Sequence, residues 1–215
     1  MVYAIAAAVV LVSFVALNLY WRHASTVRNA PCPTWLAWML ELNFPAAANG
    51  RGSVVERLAL APGMRVADVG CGTGLLGQTL ALHGVRADGF DISPGMLAQA
   101  ALKDAYRNLR EADLTASEPA ATGYGAIVSS GTFTVGHLGP DSLERLLSMG
   151  RPGALCVIGI NEQHFHDAGF DTCLERWVGD GRIRDLHFTM VPIYAERPDG
   201  QDRADIARVA VFRLR

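Results

Sequence analysis

Hydrophobic residues are laid out along this chain in two regimes. Residues 1–21, MVYAIAAAVVLVSFVALNLYW, carry no charged side chain, and only Ser13 and Asn18 interrupt the apolar run as clearly polar groups. A helix of that length is about 30 Å long, roughly one hydrocarbon core. The run is apolar on every side rather than along one stripe, which suits lipid better than the flank of a sheet. Tyr3 lies near one end and Tyr20 and Trp21 near the other, where aromatic rings meet headgroups. A cleaved secretory leader needs a basic start and a shorter apolar core, and neither is present. The span therefore predicts a transmembrane anchor over 1–21. Arg22, His23 and Arg28 follow it and no cation precedes it, so the positive-inside bias places the rest of the chain on the cytoplasmic side.

Residues 22–49 form a juxtamembrane segment. Pro31 and Pro33 break it, and Trp35, Leu36, Trp38, Met39, Leu40 and Leu42 predict a short apolar helix that packs on the following domain or lies in the membrane interface.

From residue 50 to 215 the pattern becomes a regular alternation. SVVERLAL (53–60), LLGQTLALHG (75–84), PGMLAQAALKDAY (94–106), GPDSLERLLSMG (139–150) and DTCLERWVGDG (171–181) read as helices. Between them PGMRVADVG, VRADGFDIS, RNLREADL, YGAIVSSG and GALCVIGI read as turns and short strands, the last apolar without alternation and so buried on both faces. The tail differs: IRDLHFTMVPIYAE (183–196) and ADIARVAVFRLR (204–215) are two long strand-like runs with no helix between them, which predicts an antiparallel edge pair. The expected fold is α/β: a doubly wound, mostly parallel seven-stranded sheet with an antiparallel C-terminal edge pair, preceded by one transmembrane helix.

Composition narrows the partners. Nineteen Lys and Arg stand against 21 Asp and Glu, without a basic run, which argues against nucleic acid. Cys32, Cys71, Cys156 and Cys173 form no C-x-x-C pair and have no histidine at zinc spacing, so neither a metal site nor a disulfide framework is expected.

The chemistry is concentrated in VADVGCGTGLLG, residues 66–77. Gly72, Gly74 and Gly77 spell G-x-G-x-x-G, while Asp68, Gly70, Gly72 and Gly74 spell D-x-G-x-G-x-G. Either pattern makes a tight strand-to-helix turn whose backbone touches a ligand. A dinucleotide pyrophosphate, however, wants the helix N-terminus bare of negative charge. Asp68 at the mouth of the turn opposes an anion and favours a ligand with a sulfonium and an ammonium. Asp91, ending the second strand, can accept from two ribose hydroxyls, and Asp113 after the third can accept from an adenine amino group while Leu114 N–H donates to the ring. Gly77 then serves close packing of helix on strand.

With VADVGCGTG, GFDISPGML, READL and GALCVIGI in these places, the chain from Ser53 to Arg215 resembles the class I S-adenosylmethionine-dependent methyltransferases, and YGAIVSSGTFTVGHLGPDSLERLLSMGRPG is similar to small-molecule members of the methyltransferase-like 27 type. The resemblance implies that Asp68, Gly70 and Gly72, with Cys71 and Gly74 in the same turn, hold the methionine end of S-adenosyl-L-methionine. It implies Asp91 on the ribose, Ile92 and Met96 against the adenine, Asp113 and Leu114 on the adenine edge, and Ser129 or Ser130 closing the pocket. SSGTFTVGH stands where nucleobase amino-methyltransferases carry N-P-P-Y or D-P-P-Y, which argues against that activity.

Methyl transfer from a sulfonium is in-line displacement of a good leaving group, so alignment can supply much of the acceleration. An oxygen acceptor would still gain from a base, and His137 after the fourth strand is the first candidate, with His164 and His166 in NEQHFHD next. The competing reading makes His137 a backbone-bonded loop histidine and puts the H-x-H pair on a solvated helix start. A metal held by His164, His166 and Asp167 is not expected, because side chains two apart on a helix diverge.

The function expected is methyl transfer to a small-molecule or lipid-like acceptor at the cytoplasmic membrane face. The alternatives are a membrane-tethered scaffold or regulator that binds S-adenosylmethionine without catalysis, and a nicotinamide oxidoreductase, which Asp68 and the missing substrate domain disfavour.

Overall fold

The computed structural model describes residues 63–116, 121–192 and 206–215. The expected anchor at 1–21, the juxtamembrane segment at 22–49 and the helix read at 53–60 lie outside the described residues. Among the described residues no helix is long and apolar enough to cross a membrane.

Seven strands make one sheet: β1 (Val66–Val69), β2 (Ala87–Asp91), β3 (Tyr106–Glu111), β4 (Tyr124–Phe133), β5 (Gly150–Asn161), β6 (Ile183–Pro192) and β7 (Ile206–Leu214). The helices are α1 (Leu75–Leu82), α2 (Pro94–Ala101), α3 (Pro140–Leu147), α4 (Glu162–Asp167) and α5 (Phe170–Gly179). Pro94 and Pro140 stand in the first turns of α2 and α3, where the missing N–H is no loss. The Ser93 hydroxyl caps α2 by accepting from Met96 N at 3.3 Å.

The strand order is β3-β2-β1-β4-β5-β7-β6. β1 to β5 pair in parallel, and β7 runs antiparallel to both β5 and β6. The C-terminal pair is thus antiparallel as the sequence suggests, but the chain overshoots to form β6 at the edge and returns to place β7 inside. Burial explains the choice. Val209, Ala210, Val211 and Phe212 are all buried, whereas β6 exposes most of its residues. The more continuous apolar run takes the position covered on both sides.

Two apolar layers sandwich the sheet. On one face Ala67, Val69, Phe90, Ile127, Cys156, Ile158 and Phe212 meet Leu143, Leu146, Phe170, Leu174 and Trp177 of α3 and α5. On the other, Val66, Ala126 and Val128 share a cluster with Leu76 and Leu80 of α1 and Ala100 of α2.

One buried carboxylate, Asp88 on β2, is embedded in this frame. It accepts from Arg107 Nε at 2.9 Å and Nη2 at 2.7 Å, from Asn108 Nδ2 at 2.8 Å, and from the Tyr124 hydroxyl at 2.8 Å. Arg65 adds a contact at 3.3 Å and lays its guanidinium 4.5 Å over the Tyr124 ring. Burial works to raise its pKa, but the hydrogen bonds from Arg107, Asn108 and Tyr124 outweigh it and hold the carboxyl well below the usual range. This cluster ties β2, β3 and β4 together at the end of the sheet away from the glycine turn.

Candidate cofactor-binding site

The glycine turn stands at the carboxyl end of β1, where the strand order reverses between β1 and β4 and an open α/β sheet offers its crevice. Gly70, Gly72 and Gly74 have φ of 70°, 53° and 88°, a left-handed course that side chains disfavour. Gly70 N and Cys71 N both donate to Phe90 O, at 2.8 and 2.9 Å, which anchors the turn to β2. At Gly72 an added methyl group would meet no atom of the described residues within 4 Å, so among them the space over that residue is open to a ligand.

Asp91 joins the turn to the second strand. Its Oδ2 accepts from Gly72 N at 2.8 Å and its Oδ1 from Ser93 N at 2.9 Å. Burial raises its pKa, and the N–H groups of Ser93, Gly72 and Ile92 oppose that by favouring the ionised form. A carboxylate has about four lone-pair sites, so two backbone bonds leave capacity for a ribose diol. Ile92 beside it is 38% exposed and offers an apolar side chain to a base. Met96 is buried under the start of α2 and presents little surface to one.

Asp68 is only 1% exposed. Its Oδ2 accepts from the Tyr106 hydroxyl at 2.6 Å, and the Tyr106 oxygen in turn accepts from Gly77 N at 3.1 Å. Its other oxygen has no hydrogen-bond partner among the described residues. Burial pushes the Asp68 pKa up to about 7; the Tyr106 bond pulls against this and the charge of Asp91 adds to it. The Cys71 thiol is raised by burial, then by Asp68 and Asp91, which leaves it unreactive. Gly77 is accounted for by packing, since a methyl group there would overlap the Tyr106 ring.

The remaining residues divide. Asp113 is exposed just past β3, with Oδ1 accepting from both Thr115 N and Thr115 Oγ1 at 2.7 Å, a turn that aims the loop while both bonds fall on one oxygen. Leu114 packs partly against the core. Ser129, expected to close the pocket, is instead fully buried. Its hydroxyl lies 2.7 Å from Val69 O and 2.8 Å from Thr132 Oγ1, so it seals the end of β1 against β4. Ser130 is exposed and is the serine of the two that a ligand can reach.

His137 closes a turn after β4, its N–H donating to Thr134 O at 3.0 Å. Burial and then the neighbouring His164 lower its pKa, so the ring is neutral near pH 7 and able to accept a proton. His164, on α4, is 8% exposed rather than solvated. Its Nε2 donates to Leu138 O at 2.9 Å, its own N–H is capped by Asn161 Oδ1 at 3.1 Å, and its ring meets Phe170 edge-on at 5.4 Å. That nitrogen holds the His137 loop and is unavailable to a substrate. His166 points the other way, toward Asp171 at 3.2 Å and Glu162 at 3.5 Å.

Tyr106 and Thr132 are the site residues that sequence reasoning missed. The only signal for Tyr106 was indirect: glycines at 74, 77 and 89, on three different elements, leave room for a ring.

Residues 66–151 match the family described as "Methyltransferase domain". No curated protein matches the chain by sequence. Among solved structures, the chain is similar to magnesium protoporphyrin IX methyltransferase (ChlM) from Synechocystis PCC 6803 with bound SAH, at 18% identity and a TM-score of 0.58, covering 78% of this chain and 83% of that one. It is similar to a TehB-like SAM-dependent methyltransferase from Corynebacterium glutamicum at 21% identity and a TM-score of 0.54, covering 93% and 97%. It is also similar to the N-methyltransferase NodS from Bradyrhizobium japonicum WM9 in complex with S-adenosyl-l-homocysteine, at 18% identity and a TM-score of 0.58, covering 82% and 91%. Residues 66–151 thus match a methyltransferase-domain model, and these solved methyltransferases share the chain's fold.

Proposed function

We propose that this protein transfers the methyl group of S-adenosylmethionine to a small or lipophilic acceptor, and that its N-terminal apolar segment holds the catalytic domain at the cytoplasmic face of a membrane. The observation that carries the reading is the join between Asp91 and Gly72 N at 2.8 Å, which sets a half-buried carboxylate beside an open glycine turn. A diol-bearing ligand with a cationic end fits that arrangement, for Asp91 can accept from the diol and Asp68 offers negative charge on ionising.

When bound, S-adenosylmethionine supplies a methyl group on a sulfonium, already activated for displacement. The chain's part is alignment. Asp91 and the glycine turn hold the nucleoside, Asp68 favours the ammonium, and Ile92 covers the base. Asp113, whose two bonds to Thr115 leave Oδ2 spare, accepts from the adenine amino group. His137, neutral and beside the carboxyl end of β4, takes the proton from an oxygen or nitrogen acceptor.

The similarity to ChlM and NodS, whose names specify a porphyrin methyltransferase and an N-methyltransferase, supports an acceptor smaller than a macromolecule. The uncharged run at 1–21 supports one that dissolves in the bilayer.

Calorimetric titration of the full-length protein with S-adenosylmethionine, S-adenosylhomocysteine and NADH tests the cofactor. Binding of the first two, lost by at least 100-fold in Asp91→Ala, is expected; binding of NADH alone refutes the reading. Methyl-labelled donor incubated with membranes should label an extractable lipophilic product, and label confined to water-soluble products removes the lipophilic acceptor. Protease added outside intact cells should leave the domain intact.

A further inference from the structure

The hydroxyl of Tyr106 lies between the buried carboxylate at the end of β1 and the first turn of α1. It donates to Asp68 Oδ2 at 2.6 Å and accepts from Gly77 N at 3.1 Å. Its own pKa is raised further above its ordinary value by burial and by the charge and hydrogen bond of Asp68, so it remains a donor at every working pH. The ring is located by absent side chains. A methyl group on Gly89 would come within 2.9 Å of Cε1, one on Gly74 within 3.0 Å of Cε2, and one on Gly77 would overlap the ring. β1, β2, α1 and the turn between them therefore converge on one phenol.

Resting on the methyl-donor reading above, we propose that Tyr106 is a positioning residue for the cofactor, its hydroxyl fixing the direction and the charge of the Asp68 carboxylate that meets the cofactor's cationic end. The bond occupies Oδ2 and so presents the other oxygen to the ligand. It also favours the ionised form, because a hydroxyl this close stabilises a carboxylate more than a carboxyl. The titratable groups facing Asp68 are Tyr106 from β3, Asp91 from the end of β2 and Cys71 in the turn, while α1 presents the Gly77 N–H through Tyr106. Asp91 and Cys71 act against ionisation or are inert, so Tyr106 is the group that opposes burial.

The test is a pH series of calorimetric affinities for S-adenosylmethionine between about pH 5.5 and 9, with S-adenosylhomocysteine alongside, on the full chain and on Tyr106→Phe, Asp68→Asn and the double variant. Phenylalanine fills the same slot, so thermal unfolding of Tyr106→Phe separates packing from charge. In the wild type, donor affinity should rise with pH toward about 7 as Asp68 ionises. Tyr106→Phe should move that midpoint upward by about one unit and weaken donor binding at pH 7 by about fivefold. In the Asp68→Asn background the pH dependence should vanish, and Tyr106→Phe should add less than a twofold change. Wild-type protein that binds neither ligand overturns the methyl-donor reading and this proposal with it. Wild-type binding with an unmoved midpoint in Tyr106→Phe overturns the proposal alone, as does an equal loss on both Asp68 backgrounds. Should Tyr106→Phe not fold, Asp68→Asn decides: retained pH dependence there overturns the proposal, and its disappearance supports it.

Discussion

Replacing Asp68 by asparagine should make the protein more stable while removing the contact proposed for the cofactor, and the gain should depend on pH in a way set by burial. In the folded chain the Asp68 carboxyl is pushed up to about 7, against 3.8 for a free aspartate. A raised acid pKa means that the folded state holds a proton the unfolded state has already released. Between pH 3.8 and about 7 the wild type is therefore destabilised progressively as pH rises, and above about 7 the penalty is constant. The two pH units from 5 to about 7 correspond to roughly 3 kcal/mol at about 1.4 kcal/mol per unit. Asparagine has nearly the same shape, can accept from the Tyr106 hydroxyl, and carries no titratable charge. Urea unfolding of wild type and Asp68→Asn, followed by far-ultraviolet circular dichroism at pH 5, 6, 7 and 8, isolates this term because every other titrating group cancels in the difference. The stability advantage of Asp68→Asn should grow by roughly 3 kcal/mol from pH 5 to 8. A difference that is flat with pH refutes the argument, since it would mean that Asp68 ionises alike in both states. A donor that binds as a cation should reverse the trend. Saturating S-adenosylmethionine should stabilise the wild type more at pH 8 than at pH 5 and leave Asp68→Asn with no such dependence.

Three further outcomes are expected. Gly77→Ala should destabilise the fold by about 2 kcal/mol, because the methyl group has to displace the buried Tyr106 ring; chemical denaturation reads this, and a neutral result means the ring has room to move. Asp88→Asn should lose about 2 kcal/mol at pH 7, where the wild-type carboxylate is bound by Arg107. Its pKa is depressed, so that contribution is present above the unfolded value and lost as pH falls through the folded one; the two proteins should converge in acid, and a constant gap contradicts the ion pair. His137→Gln should leave S-adenosylhomocysteine affinity unchanged and slow label transfer from methyl-labelled donor to a membrane extract by about 100-fold. The acidic limb of the wild-type rate should fall below the ordinary histidine value of 6.5, since burial and His164 lower the His137 pKa. A limb above 6.5 assigns the base elsewhere.

What could be read from the sequence was whatever depends on near neighbours. The helices at 75–82, 94–101, 140–147 and 170–179 follow from period and from glycine and proline punctuation, and Asp91 follows from its place at a strand end. What escaped depends on partners distant in sequence. Nothing local says that 206–214 slips between β5 and β6, because both closing runs pair antiparallel in either order; only the burial of Val209 to Phe212 chooses. Nor does the H-x-H spacing say which histidine turns inward. His164 does, to a carbonyl 26 residues away, and the expectation of a solvated helix start fails for it while holding for His166.

Tyr106 also bears on the ambiguity of the glycine loop. A G-x-G-x-x-G turn binds pyrophosphate through N–H groups left bare at a helix start. In this chain four N–H groups of that turn and of the helix start are engaged: Gly70 and Cys71 donate to Phe90 O, Gly72 to Asp91, and Gly77, in the first turn of α1, to the Tyr106 hydroxyl. Two of those four bonds lead directly or through a phenol to a carboxylate. An anion arriving at those four would meet occupied donors, two of them backed by negative charge, while a cation would meet Asp68 and Asp91 with oxygen to spare. Two carboxylates and the tyrosine between them thus turn a loop geometry shared by both cofactor classes into one suited to the cationic ligand.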